Sequence, residues 1–178
     1  EQRAELRLTM KHRCALVAEI VEKHPMSVCW CDLNDEGDLL TNIIPGAVQV
    51  SGSDSDEKKE EILEAFSKGE IKRLVTKQKI AGFGLNWQHC NHMTFFPSHS
   101  FERYYQGVRR MWRFGQKKPV TVDIVTTEGE SKVLRNLERK TQQADEMFTR
   151  LVQEMNNELK IKRIKHHSQT IELPKWIK

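Results

Sequence analysis

Short candidate strands alternating with helix-patterned segments constrain this 178-residue chain more than any other feature. Residues 27–31, 47–50, 71–76, 92–96 and 120–125 read as five strands. Between and around them the apolar spacing turns helical. Met10, Cys14, Val17 and Val21 mark a helix over about 6–21 that Pro25 closes, and Asn34 reads as the N-cap of a second, broken by Pro45-Gly46. Asp54 or Ser55 caps a third, with Ile62, Leu63 and Phe66 facing inward and Gly69 at its end. Ser100 opens a fourth, and from Glu130 a long helical pattern runs through Leu137, Ala144, Phe148, Leu151 and Met155. Strands and helices in this order predict an α/β fold, a parallel sheet sandwiched by helices, with a flanking N-terminal helix and a long C-terminal one. The expected segmentation is a linker helix over 1–24, the sheet domain over 25–127, a helical extension over 128–158 and a basic tail over 159–178.

Composition narrows the partners. With 38% hydrophobic and 30% charged residues, the chain reads as a soluble, polar globular protein without an apolar run of membrane-spanning length. Its first residues do not resemble a signal peptide, and the missing initiator methionine raises the expectation of a longer parent chain. The four cysteines (Cys14, Cys29, Cys31 and Cys90) are expected as reduced core thiols, Cys29 and Cys31 sharing one face of their strand. A zinc site drawn from His89, Cys90, His92 and His99 fits no standard spacing and is rejected, so no metal ligands are assigned. Of the formal charge of +4, residues 159–178 carry six Lys or Arg against one Glu, which leaves 23 basic and 24 acidic residues elsewhere. Such a tail can hold nucleic acid non-specifically, or can be a solubilising end.

Ligands of open parallel sheets gather at the carboxyl ends of the strands. There the sequence places Asp32-Leu33-Asn34, Ser51-Gly52-Ser53, Thr76-Lys77 with a glycine segment at 82 and 84, and Pro97-Ser98-His99, a polar edge suited to phosphates. The next helix carries Gln106, Arg110 and Arg113 at offsets that put them within roughly 60° of one another on a helix. Phe101, Tyr105, Val108 and Trp112 would form its burial stripe, and Gly115 a C-terminal cap. An ordinary solvated basic face is the alternative. Against it, residues 103–118 hold six Lys or Arg and no acidic residue to form i,i+4 pairs with. Guanidiniums suit a phosphate because their donor forks match its oxygens and their charge is permanent.

These segments resemble a known set of motifs. Thr76-Lys77-Gln78-Lys79-Ile80-Ala81-Gly82-Phe83-Gly84-Leu85-Asn86 resembles motif V of superfamily 2 helicases in its Swi/Snf-like form, and residues 106–116 resemble motif VI, QxxxRxxRxGQ. Residues 28–32 resemble the motif IV strand. Ser51-Gly52, a helix and Phe66-x-x-Gly69 resemble the stretch between. Order and spacing hold from about 25 to 126, and the run Ile80 to Cys90 is most similar to phage or prophage helicases, DEAD-box-like members of this group. Three positions depart from chromatin-remodelling relatives: Arg109 stands in place of an acidic residue, Trp112 in place of histidine, and Phe96-Pro97 in place of an acidic run.

The resemblance implies the C-terminal RecA-like lobe of an ATP-dependent helicase or DNA translocase. Arg113 would be the arginine finger that meets the γ-phosphate of ATP held by the first lobe. Arg110 would reach the phosphates or hold the lobes closed, and Gln106, Gly84 and Asn86 would line the nucleotide side. Thr76, Lys77, Ser51 and Gly52 would contact the nucleic-acid backbone. The implied cofactors are ATP and Mg²⁺, the ion held by the first lobe. The implied partners are DNA, duplex or single-stranded, in preference to RNA, and the N-terminal RecA-like lobe of the same polypeptide, with no membrane. The implied setting is the cytoplasm of a bacterial or phage-infected cell. Trp87 and Trp112 are expected as core or lobe-packing residues, and Met147 and Met155 as helix-face packing. The chain contains no GxxxxGK[ST] phosphate loop, so residues 1–178 by themselves are expected to hydrolyse no ATP. A stand-alone nucleic-acid-binding module without motor activity is the alternative these features allow; a non-helicase nucleotide enzyme with a flavodoxin-like sheet ranks last, because nothing after the first strand resembles a phosphate-binding glycine loop.

Overall fold

The computed structural model describes residues 2–80, 86–96 and 100–166, and for residues 2–6, 128 and 155–166 the backbone alone. Five strands form one parallel sheet: β1 (Ser27–Trp30), β2 (Ala47–Val50), β3 (Arg73–Thr76), β4 (His92–Phe95) and β5 (Thr121–Ile124), in the order β2-β3-β1-β4-β5. All five sequence-predicted strands are present. β1 lies at the centre, its Val28 registered with Leu74 on one side and Met93 on the other. The helices are α1 (Gln2–Glu22), α2 (Asn34–Ile43), α3 (Asp56–Ser67), α4 (Phe101–Arg109) and α5 (Ser131–His166), with a short 3₁₀ turn at Glu128–Glu130.

The two faces of the sheet carry separate cores because successive strand side chains point to opposite sides. Val28, Trp30, Leu74, Met93 and Phe95 join Leu63 and Phe66 of α3, together with Trp87 and Met111, on one face. Cys29, Cys31, Val75, Phe96 and Val125 join Cys14, Val17 and Val21 of α1 and Leu40 and Ile44 on the other. Thus α1 supplies three of the ten buried residues of the second core by an i, i+3, i+7 stripe. The four thiols are free and buried. Burial pushes the Cys29 thiol up to about 12 and Cys90 to about 11, so they stay protonated at neutral pH.

Local chemistry sets the element ends. Ser55, not Asp54, caps α3, accepting from Lys58 N at 3.2 Å, while Asp54 holds the turn before it by accepting from Ser51 N at 2.8 Å. Gly69, at φ +77°, ends α3 as expected. At α2 the expected N-cap Asn34 is already helical and Leu33 takes the cap position. The carboxylate of Glu36 reaches back instead, its Oε2 accepting from the backbone N–H of Asp32 and of Leu33, each at 3.0 Å. Its Oε1 accepts from Arg13 Nη2 at 2.8 Å, in a pair exposed by only 3% and 1%. The Arg13 guanidinium also lies 4.5 Å from the Phe96 ring centre. One buried pair therefore joins α1, the β1–α2 loop and the end of β4.

The chain divides into two compact units, Glu1–Leu137 and Glu138–Lys178. The second begins within α5 and exposes Met147, Phe148, Leu151 and Val152, so Met147 does not pack as the sequence pattern suggested. Met155 lies among the residues whose side chains are outside the description.

Candidate nucleotide and nucleic-acid interface

The expected site residues occupy two places at opposite ends of the strands. Ser51-Gly52 follows β2 and Thr76-Lys77 ends β3, at the carboxyl edge. The loop after α4 is instead bonded to the segment that leads into β4, Trp87 N–H donating to the Arg110 carbonyl at 2.9 Å and Gln116 Nε2 to the Cys90 carbonyl at 3.1 Å. This arginine-bearing loop is consequently sewn to the chain just before β4, at the amino edge.

At the carboxyl edge, Ser51 Oγ and Ser53 Oγ lie 2.8 Å apart and Lys77 is half-buried. A side chain at Gly52 would meet only Ile80 Cδ1, at 3.9 Å, so the backbone there is open on its outer side. Thr76 is buried and its hydroxyl donates to Val50 C=O at 3.1 Å, a tie between β3 and β2. Although Asp32 is exposed as a whole residue, desolvation of its carboxyl among its neighbours, then the Glu36 charge, push it up to about 6, against the opposing pull of Arg103 and Lys77. The edge therefore gains positive charge as pH falls through that value.

The arginine loop departs from the sequence expectation in three respects. First, α4 buries Gly107 and half-buries Tyr104 and Val108 against the first core, joined by buried Met111, while Tyr105 and Trp112 are 41% and 52% exposed. The deciding residue is Gly107, a position not counted as apolar. A Cβ there would come within 2.8 Å of Phe95 Cζ and 3.4 Å of Trp30 Cε2, so the bare backbone is what lies on the aromatic floor. Trp87 is fully buried as expected, whereas Trp112 faces solvent.

Second, the helix stops at Arg109. The Arg110 carbonyl, which a longer helix would give to residue 114, accepts from Trp87 N–H at 2.9 Å. Gln106, Arg110 and Arg113 therefore do not share one helical face. Gln106 is exposed and donates to Glu102 Oε1 at 3.1 Å. The Arg110 guanidinium turns inward, 5.3 Å from the Trp87 ring centre and 5.9 Å from that of Trp30, and its burial lowers its pKa without threatening the charge. Arg113 is exposed.

Third, Gly115 adopts φ +96° but turns the loop beyond the helix, not the helix end itself. Asn86 is exposed just before Trp87, while Gly84 of the expected nucleotide side, like Pro97-Ser98-His99, lies outside the described residues.

A third cluster sits at the amino edge of the α1–α2 face, where His24, His92 and Asp123 place donor atoms within 4.8 Å of one another. His92 spends both ring nitrogens, Nδ1 on Ser27 Oγ at 2.6 Å and Nε2 on Asp123 Oδ2 at 2.8 Å. Its ring stacks on His24 with centroids 3.5 Å apart and planes 4° from parallel. Lone pairs in parallel planes do not converge on one ion, so the geometry is that of a hydrogen-bonded brace between β1, β4 and β5. The sequence spacing had linked His92 to His89 and Cys90 instead, but His89 packs edge-on against Phe66 on the other face.

The sheet order and the two polar places define a RecA-like lobe of the kind found in helicases. A family model, the helicase conserved C-terminal domain, matches residues 13–115, and the chain belongs to that family. Over 94 residues it is 35% identical to the bifunctional helicase and thymine dioxygenase JBP2 of Leishmania braziliensis, covering 51% of this chain and 9% of that protein. The same holds for the Leishmania infantum counterpart. The chain thus spans about a tenth of the curated relatives it matches. Among solved structures, the C-terminal part of the Fun30 ATPase domain superposes with a TM-score of 0.57 at 21% identity, over 66% of this chain and 41% of that one. The Escherichia coli DEAD-box protein SrmB, bound to regulator of ribonuclease activity A, gives 0.61 at 18% identity, over 74% and 79%. Among the described residues, no helix is long and apolar enough to cross a membrane.

Proposed function

We propose that this chain is the second RecA-like lobe of an ATP-dependent DNA helicase or translocase of the Swi/Snf-like, phage-related kind, and that Arg113 is its arginine finger. The observation that carries this reading is the arginine loop. Arg110 is drawn onto Trp30 and Trp87 while Arg113, three residues on, is held out to solvent. An exposed guanidinium can stabilise charge on a transferring phosphoryl group when it is presented across an interface. ATP supplies that group, and the residues here fit a polyphosphate: residues 103–118 add six cations and no carboxylate. Mg²⁺ is assigned to the first lobe. Arg110 steadies the loop, and Gln106 and Asn86, both exposed, reach the nucleotide side.

Lys77, Ser51 and Gly52 form the nucleic-acid track at the other end of the sheet, with Thr76 joining the strand ends beneath them. DNA is preferred to RNA on the Swi/Snf-like form of motifs V and VI. Residues 1–178 alone turn over no ATP, and the polypeptide that includes a phosphate-loop lobe does so in the presence of DNA. Turnover by residues 1–178 at a motor-like rate contradicts the two-lobe reading. In the intact motor, Lys77→Ala lowers DNA affinity and reduces the slope of log K against log salt by about 0.7–0.9, the loss of one phosphate contact. An unchanged slope removes Lys77 from the track.

A further inference from the structure

We propose that Gln88 is a positioning residue for Arg113, an inference that rests on the finger reading above. The loop from Arg110 to Gly115 has little to hold its outer half. Met111 is its one fully buried side chain, while Trp112 is 52% exposed and Phe114 wholly so. What fixes the backbone on both sides of Arg113 is a set of amide donors. Trp87 N–H holds the Arg110 carbonyl at 2.9 Å, and Gln116 Nε2 holds the carbonyls of Met111, at 3.2 Å, and of Cys90, at 3.1 Å. Beyond Arg113, the Phe114 carbonyl accepts from Gln88 Nε2.

Gly115 makes this last contact possible. It adopts φ +96°, and a Cβ placed on it would come within 3.1 Å of Gln88 Nε2 and 3.2 Å of Oε1. The carboxamide thus lies flat against the bare Cα two residues past Arg113 and bonds the carbonyl between them. Without that donor, the backbone beyond Arg113 keeps the Gln116 N–H to Arg113 carbonyl turn bond at 3.0 Å, and Arg113 itself the bond from its N–H to the Met111 carbonyl at 3.1 Å, but the Phe114 carbonyl loses its tie to the body of the lobe. A guanidinium that must meet developing charge within a fraction of an ångström loses most of its value when its backbone wanders.

The test uses the full-length, DNA-stimulated ATPase with Gln88→Ala, Gln88→Glu, Arg113→Ala and the double variant Gln88→Ala/Arg113→Ala. Gln88→Glu keeps the side chain's size but offers the Phe114 carbonyl no donor. Both Gln88 variants are expected to lower kcat about tenfold, with KM for ATP and the melting temperature nearly unchanged. In the Arg113→Ala background, Gln88→Ala is expected to cost nothing further, because the side chain acts through the one already removed. Losses that multiply in the double variant, a rise in KM in place of the kcat loss, or full activity in Gln88→Glu would each overturn the proposal. If Arg113→Ala itself is fully active, the finger reading fails, and this inference with it. If Arg113→Ala is inactive and both Gln88 variants are normal, only the inference fails.

Discussion

Arg113→Ala in the intact motor is expected to lower ATP turnover by about 10³-fold or more, the range an arginine finger contributes, while ATP binding changes little. The asymmetry follows from where the residue sits. Arg113 is exposed on its loop, so in the proposed two-lobe motor it would meet a nucleotide held by the other lobe only on closure. An interaction made mainly in the transition state affects kcat, not ground-state affinity. Arg110→Ala should behave differently. Its guanidinium lies on Trp87 and Trp30, so its loss opens a gap in the first core and is expected to lower stability together with activity. Single-turnover rates, equilibrium binding of a non-hydrolysable ATP analogue and melting curves for the two variants separate these effects.

Glu36→Ala is expected to be the most destabilising single change among the polar residues, by about 3–5 kcal/mol, because it strands a buried guanidinium. Arg13 and Glu36 are 3% and 1% exposed, so water cannot replace the missing carboxylate. The same substitution frees the backbone N–H groups of Asp32 and Leu33. For a chain of this size the melting temperature should fall by about 10 °C or more. Glu36→Gln keeps an oxygen and should cost less. A change under 1 kcal/mol in Glu36→Ala would show that the pair is hydrated in solution, contrary to the structure.

The sequence exposed some parts of this architecture and hid others for physical reasons. Strands between Pro25 and Pro97 were legible because apolar runs bracketed by proline, glycine or small polar residues leave a short segment few alternatives. Ser55 at α3, Ser100 at α4 and Gly69 were legible because capping is local chemistry. The orientation of α4 was not. It depends on Gly107 letting backbone approach Phe95, and its end depends on a Trp87 N–H from another segment. Periodicity counts side chains and sees neither. Nor did any spacing rule join Arg13 to Glu36, 23 positions apart, although the stripe of Cys14, Val17 and Val21 that packs beside them was legible from its period. The roles of the motif residues were named by resemblance alone, but the division of those residues between the two ends of the sheet came from the strand order and from the loop bonds to Trp87 and Cys90.

Arg113, in the proposed motor, supplies charge to a nucleotide bound on another lobe, and does so in the transition state. This role is tested most directly by the affinity of the full-length enzyme, with DNA, for ADP–aluminium fluoride compared with ADP alone, in the natural sequence and in Arg113→Ala. The variant is expected to bind ADP as before and to lose at least about 100-fold in affinity for the transition-state analogue. Equal affinities of both proteins for the analogue, or a parallel loss for ADP, would contradict it.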